Sequence, residues 1–155
     1  MTEATPAWPD LAGRIEGGEH ILAIRVYFED TDFSGLVYHA SYVRWCERGR
    51  SDYLRLLGVS HASLATPTGG ERPAAFVVRR IELDYLRPAG IDDVLEVRTR
   101  VIKTSAASLH LEQRVMRGEQ LLCRARVQVV LLGADGRPQR MDRLMRRLLD
   151  GTDGD

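Results

Sequence analysis

Glu29-Asp30-Thr31-Asp32-Phe33-Ser34-Gly35-Leu36-Val37-Tyr38-His39 joins two segments of different hydrophobic period. Before it, from His20 to Tyr27, the residues alternate. Leu22, Ile24 and Val26 lie on one side and Ala23, Arg25 and Tyr27 on the other, which predicts a strand. After it, from Ala40 to Leu57, residues Tyr42, Trp45, Cys46, Gly49, Tyr53, Leu56 and Leu57 recur at helical spacing. Arg44, Glu47, Arg48 and Arg55 cover the opposite side. Ser34-Gly35 breaks the first pattern before the second starts. A carboxylate at a strand end then sits beside a helix N-terminus, with its unpaired N–H groups and the positive pole of its dipole. A reaction that builds negative charge on a carbonyl oxygen uses both features. The carboxylate attacks or activates water, and the N–H groups hold the oxyanion. The pattern points to acyl transfer or ester hydrolysis.

The rest of the chain supplies the sheet. Gly58 is placed to cap the helix, and Gly49 in the middle of its buried stripe suits a helix lying close against strands. His61 to Pro73 reads as a loop. Four strand patterns then follow with short connections. They are marked by Val77 to Tyr85, Val94 to Val101, Leu109 to Val115, and Leu121 to Leu131. A short amphipathic segment, Asp142 to Asp150, ends the patterned region, with Arg143, Arg146 and Arg147 as a small basic face. Only one helix is long enough to cover a sheet face. The expected fold is therefore α+β, a five-stranded antiparallel sheet wrapped around one long central helix, the hotdog arrangement. One domain over 19–150 is expected, between flexible segments at 1–18 and 151–155.

Bulk properties exclude several classes. The chain has 155 residues, and 22 Lys plus Arg balance 22 Asp plus Glu, so no global field draws it to nucleic acid. The longest apolar run, Val127 to Leu132, is too short to span a bilayer. The two cysteines, Cys46 and Cys123, fall on apolar faces and read as reduced core thiols of a cytoplasmic protein.

Asp30-Thr31-Asp32, Gly35, Val37-Tyr38-His39-Ala40-Ser41-Tyr42 and Glu47-Arg48 together resemble the acyl-CoA thioesterases of the 4-hydroxybenzoyl-CoA thioesterase type. The nearest branch is the bacterial one associated with the Tol-Pal cell-envelope system. The resemblance continues in Phe76 to Ile81, Asp84 to Ala89, Asp92 to Val97, Ala107-Ser108-Leu109 and Gly136-Arg137-Pro138. It implies a catalytic carboxylate at Asp32 and a functional role for His39, whose backbone N–H would polarise the thioester carbonyl. It also implies an acyl-CoA substrate bound around Gly35, Val37 and Tyr38. Homodimers or homotetramers with active sites at the subunit interface are implied as well, and peripheral association with the envelope belongs to the branch. Two departures stand out. Phe28 replaces a Tyr of many relatives, and Ala106 stands where a basic residue often contacts a CoA phosphate. Lys103 is the candidate substitute for that contact.

Asp has an ordinary pKa near 4, so Asp32 is expected to be ionised at neutral pH. It can attack the thioester to give a mixed anhydride or deprotonate water. The donors expected for the oxyanion are the N–H groups from Tyr38 to Ala40. Helix capping or an Asx-turn is the competing reading of Asp30 and Asp32, and Asp30 is assigned to the turn. Asp30, Asp32 and His39 have metal-ligand chemistry but no second His at ligand spacing, so no metal and no cofactor is expected. His20, His61 and His110 read as surface or sheet residues. The alternatives to a thioesterase are a hydroxyacyl-thioester dehydratase, whose motif setting His39 lacks, and a non-catalytic acyl-CoA-binding or envelope scaffolding module.

Overall fold

A computed structural model describes residue 8 and residues 11–150. Six antiparallel strands form one sheet in the order β1-β2-β4-β5-β6-β3. They are β1 (Arg14–Glu16), β2 (Glu19–Arg25), β3 (Ala74–Tyr85), β4 (Val94–Thr104), β5 (Ser108–Arg117) and β6 (Gln120–Gly133). Helix α1 (His39–Leu56) packs on the concave face. The short helices α2 (His61–Ala65) and α3 (Arg143–Asp150) close one end. The expected α+β hotdog arrangement is observed, with one strand more than the expected five.

The extra strand lies inside the segment 1–18 expected to be a flexible leader. Arg14–Glu16 pairs antiparallel with Glu19–Ile21, and Gly17-Gly18 is the tight turn between them. Both glycines have positive φ, 58° and 75°, as a two-residue hairpin turn of the right twist requires. A glycine pair that reads as a linker is therefore a hairpin. The expected loop from His61 to Pro73 likewise opens with α2, capped by Ser60, whose side chain accepts from Ser63 N–H.

α1 ends as predicted, and its closing bonds form a Schellman cap. Gly58 N–H donates to the Arg55 carbonyl and Val59 N–H to the Leu54 carbonyl, with Gly58 at φ 85°. The helix's apolar stripe divides between two clusters. Tyr42, Trp45 and Cys46 pack with Ile24, Val26, Leu95, Val97, Val115, Cys123 and Val127. Leu54 packs with Leu109, Leu111, Val129, Leu131, Met141, Met145 and Leu149. Leu56, expected in the stripe, is 42% exposed instead.

Between the clusters the helix touches the sheet at Gly49. A Cβ there would lie 2.9 Å from Val97 Cγ1, 3.1 Å from Thr99 Oγ1 and 3.2 Å from Gln113 Nε2. The close approach that the sequence suggests is present, and it accounts for glycine in a helix interior. The sheet presents a polar row at this point, since His20 is in register with Thr99 and Thr99 with Gln113. Gln113 donates to the Cys46 carbonyl at 2.8 Å and to Thr99 Oγ1 at 2.9 Å, and it accepts from Arg50 at 3.0 Å. His20, a fully buried sheet residue on β2, pairs with Asp52 at 2.7 Å, and Asp52 also accepts from Gly13 N–H. Pairing offsets most of the cost of burying these groups, with His20 Nδ1 left without a partner among the described residues.

Candidate functional site

The turn from Thr31 to His39 stands at the open end of the molecule. Asp32 to Gly35 forms a β-turn closed by Gly35 N–H donating to the Asp32 carbonyl at 3.0 Å. Gly35 adopts φ 82°, and nothing lies within 4 Å of the position its Cβ would take, so it is glycine for conformation and not for space. The turn is anchored on both sides. Val37 N–H donates to the Ala89 carbonyl at 2.9 Å and Tyr38 N–H to the Asp30 carbonyl at 2.8 Å. The β3–β4 loop that supplies Ala89 is itself held by Asp93, which accepts from Gly90 N–H and from Arg117, both at 2.9 Å. Those two bonds, the backbone one first, hold the Asp93 carboxyl below its ordinary pKa.

Asp30 and Asp32 play different parts. Asp30 is buried, and its carboxylate accepts from Tyr27 N–H at 2.8 Å. Its carbonyl accepts from Tyr38 N–H and from Ser41 Oγ at 3.2 Å. It is the turn residue expected of it. Asp32 is exposed to solvent, and its Oδ1 accepts from the Ser34 hydroxyl and, at 2.8 Å, from Ser34 N–H. The Ser34 hydroxyl, then its N–H, lower the Asp32 pKa, with a smaller contribution from His39, so the carboxylate is ionised at neutral pH. Oδ2 has no partner among the described residues.

His39 is the first residue of α1 and shares this turn with Asp32. Its ring lies tilted at 4.5 Å from Tyr38 and meets the edge of Tyr85 at 6.4 Å. The Tyr85 hydroxyl donates to the His39 carbonyl at 2.7 Å, which ties the end of β3 to the start of the helix. Among the described residues neither His39 N–H nor Ala40 N–H has a hydrogen-bond partner, as expected of a first helical turn without a side-chain cap. The donor set expected from Tyr38 to Ala40 therefore narrows to two, because Tyr38 N–H is already used. Val37 does not offer its N–H either, and its side chain is in the core. An ionised carboxylate and two free N–H groups on one solvent-facing turn can activate a nucleophile and hold an oxyanion.

Lys103 lies away from this turn, on β4 opposite His110, in a shallow cleft with Arg80 and Arg126. Of the basic face at Arg143, Arg146 and Arg147, the Arg143 and Arg147 side chains fall outside the described residues. Tyr85 and Ser34 are the site neighbours that sequence reasoning missed. Ser34 carried a signal, since an Asp-x-Ser step favours an Asx-turn. Tyr85 carried none, being 46 residues from its partner. No cluster of three or more metal-ligand residues occurs among the described residues. The cysteine thiols are buried, and burial pushes Cys46 up to about 11 and Cys123 up to about 12, so neither is a nucleophile at neutral pH.

Residues 26–148 match the family model of the thioesterase-like superfamily. The chain is 42% identical over 106 residues to the acyl-CoA thioesterase YbgC of Haemophilus influenzae, which spans 68% of this chain and 75% of the relative. It is 44% identical over 108 residues to the acyl-CoA thioester hydrolase YbgC of Shigella flexneri, spanning 69% and 77%. Among solved structures, a probable thioesterase from Bartonella henselae superposes with a TM-score of 0.76 at 42% identity, covering 80% of this chain and 99% of that one. A 1,4-dihydroxy-2-naphthoyl-CoA thioesterase from Synechocystis gives a TM-score of 0.79 at 20% identity, covering 89% and 100%, and shares the fold.

Proposed function

The chain belongs to the thioesterase-like superfamily and is a thioester hydrolase, and we propose that it cleaves an acyl-CoA to CoA and a carboxylic acid at the Asp32–His39 turn. One observation carries the site assignment: an ionised, solvent-facing carboxylate on the same turn as the two unpartnered N–H groups of His39 and Ala40. The thioester carbonyl oxygen lies against these two donors. A donor of this kind contributes about 3–4 kcal/mol to holding a developing oxyanion. Two routes use the same geometry. In one, Asp32 takes a proton from water, the hydroxide adds to the carbonyl carbon, and the tetrahedral intermediate expels the CoA thiolate, which takes up the proton. In the other, an Asp32 oxygen attacks the carbonyl carbon and expels the thiolate, and water hydrolyses the mixed anhydride.

The working unit is a homodimer or a homotetramer. Two copies join through β3, whose outer edge is unpaired and carries exposed Val77 and Val78. The cytoplasm is the compartment, in keeping with two buried, reduced thiols. The Tol-Pal branch and its peripheral association with the envelope are the finer placement, supported by the sequence blocks around Asp32 and Tyr85. Phe28, 83% exposed, offers no hydroxyl where many relatives carry one, which favours an acyl-CoA-binding module as the second reading.

Free-thiol release from a panel of acyl-CoAs, run beside Asp32→Asn, tests the assignment. Release by the wild type that disappears in the variant supports it. Binding without release in the wild type moves the protein to the second reading. Label in the Asp32 carboxylate after a single turnover in ¹⁸O-water establishes the anhydride route, with water attacking its Asp32 carbonyl carbon.

A further inference from the structure

A cavity of about 120 Å³ opens between the C-terminal half of α1, α2 and the sheet. Its walls are apolar, built from Leu54, Phe76, Val78, Leu109, Leu111 and Val129. At its α1 side stands Arg50, 9% exposed. One of its nitrogens donates to Gln113, and among the described residues no carboxylate lies within salt-bridge distance. A buried guanidinium carries five donors, so Arg50 keeps donors for an occupant. A buried cation facing an apolar cavity is costly unless something polar meets it there.

The cavity lies far from Asp32 of its own chain. From His39 to Arg50 α1 rises about 16 Å. From Val78 to Tyr85 β3 extends about 23 Å. The two sites sit at opposite ends of β3, with Tyr85 bonded to His39 and Val78 lining the cavity. A two-fold pairing of two copies across β3 is antiparallel. It sets the Tyr85 end of one copy against the Phe76–Val78 end of the other, and so brings each cavity to the other copy's catalytic turn. On the thioesterase and dimer readings above, the occupant is the acyl group.

We propose that this cavity receives a short acyl chain and that Arg50 is its specificity-determining residue, donating to an uncharged oxygen near the distal end of that chain. Size sets the length: a dry cavity of about 150 Å³ holds a benzene ring, so this one takes about six heavy atoms and excludes long chains. The rim sets the charge. Glu47 accepts from the Ser51 hydroxyl at 2.6 Å, and Ser51 meets His61 at 2.8 Å. Its carboxylate at the mouth disfavours a second carboxylate on the acyl group and leaves an oxo or hydroxy oxygen as the acceptor.

The test compares kcat/KM for 5-oxohexanoyl-CoA and hexanoyl-CoA on the full-length protein. The wild type is expected to favour the oxo substrate about ten- to a hundredfold, the range for a hydrogen bond to a charged group. In Arg50→Met the ratio is expected to fall to near one. Ser51→Trp, at a half-buried rim position on α1 and away from the β3 edge, fills the cavity and is expected to remove the preference independently if Arg50→Met does not fold. A wild-type ratio near one, or an unchanged ratio in either folded variant, overturns the proposal. If no thioester is hydrolysed at all, the catalytic reading fails. Calorimetry of the two acyl-CoAs then decides the cavity separately, with preferential binding of the oxo compound supporting the proposal and equal binding overturning it.

Discussion

The first turn of α1 and its third and fourth turns belong to one helix and treat polar groups in opposite ways. At the first turn His39 and Ala40 N–H have no partner among the described residues, and Asp32 beside them is open to solvent. Over the third and fourth turns the polar groups are buried in a bonded network: Arg50 with Gln113, Gln113 with Thr99 and the Cys46 carbonyl, His20 with Asp52. Water makes the difference. Unpaired donors cost little where water reaches them and stay available to a substrate. Where water is excluded, an unmade bond costs the full desolvation of the group. Reactivity and rigidity are thus separated along a single helix.

Mutation breaks the two regions in different currencies. The largest effect is expected for Asp32→Asn: thiol release falls about 10²- to 10⁴-fold, while chemical denaturation places stability within about 0.5 kcal/mol of wild type, as for a surface substitution. Gln113→Leu reverses the pattern. It strands Arg50 and Thr99 in the interior, and urea unfolding is expected to show a loss of about 3 kcal/mol, with the kcat of the folded fraction retained. Gly49→Ala is expected to cost about 1–2 kcal/mol in the same measurement. Elsewhere the exchange would help a helix, but here the new Cβ meets Val97 at 2.9 Å and must push the sheet away.

A smaller effect sharpens the contrast. The Ser34 bonds lower the Asp32 pKa, so the active carboxylate form is present above that depressed value and is lost as pH falls through it. The acid limb of the kcat/KM profile is expected below the ordinary Asp value near 4. Ser34→Ala removes the hydroxyl that dominates the shift and moves that limb to higher pH. The smallest effect is expected at the thiols. With Cys46 at about 11 and Cys123 at about 12, native protein at pH 8 resists iodoacetamide and keeps its activity, whereas urea-unfolded protein labels at both.

Sequence reasoning reached α1 because its buried face repeats every three to four residues, and it reached Gly49 because an interior helical glycine needs a reason. It missed β1, where Gly17-Gly18 looks like a linker until its pairing partner β2 is in place. It missed α2 because Pro67, Gly69 and Gly70 follow it so closely. At the candidate site, Asp32 and His39 are legible because one short turn holds both. The use of Tyr38 N–H by Asp30, the support of the turn by Ala89, and the Tyr85 bond to His39 depend on long-range pairing. No local pattern encodes such pairing. The cavity is illegible for the same reason, since its walls come from α1, α2, β3, β5, β6 and α3.

The contact at Gly49 reaches beyond stability. With no side chain there, α1 rests against Val97, Thr99 and Gln113 as a shaft rests in a bearing seat, fixed in both rotation and travel. Substitutions that reshape the Phe76–Val78 end therefore leave the position of the His39 end undisturbed. The residues around the cavity can therefore vary in a lineage of such proteins while the turn at His39 keeps its place.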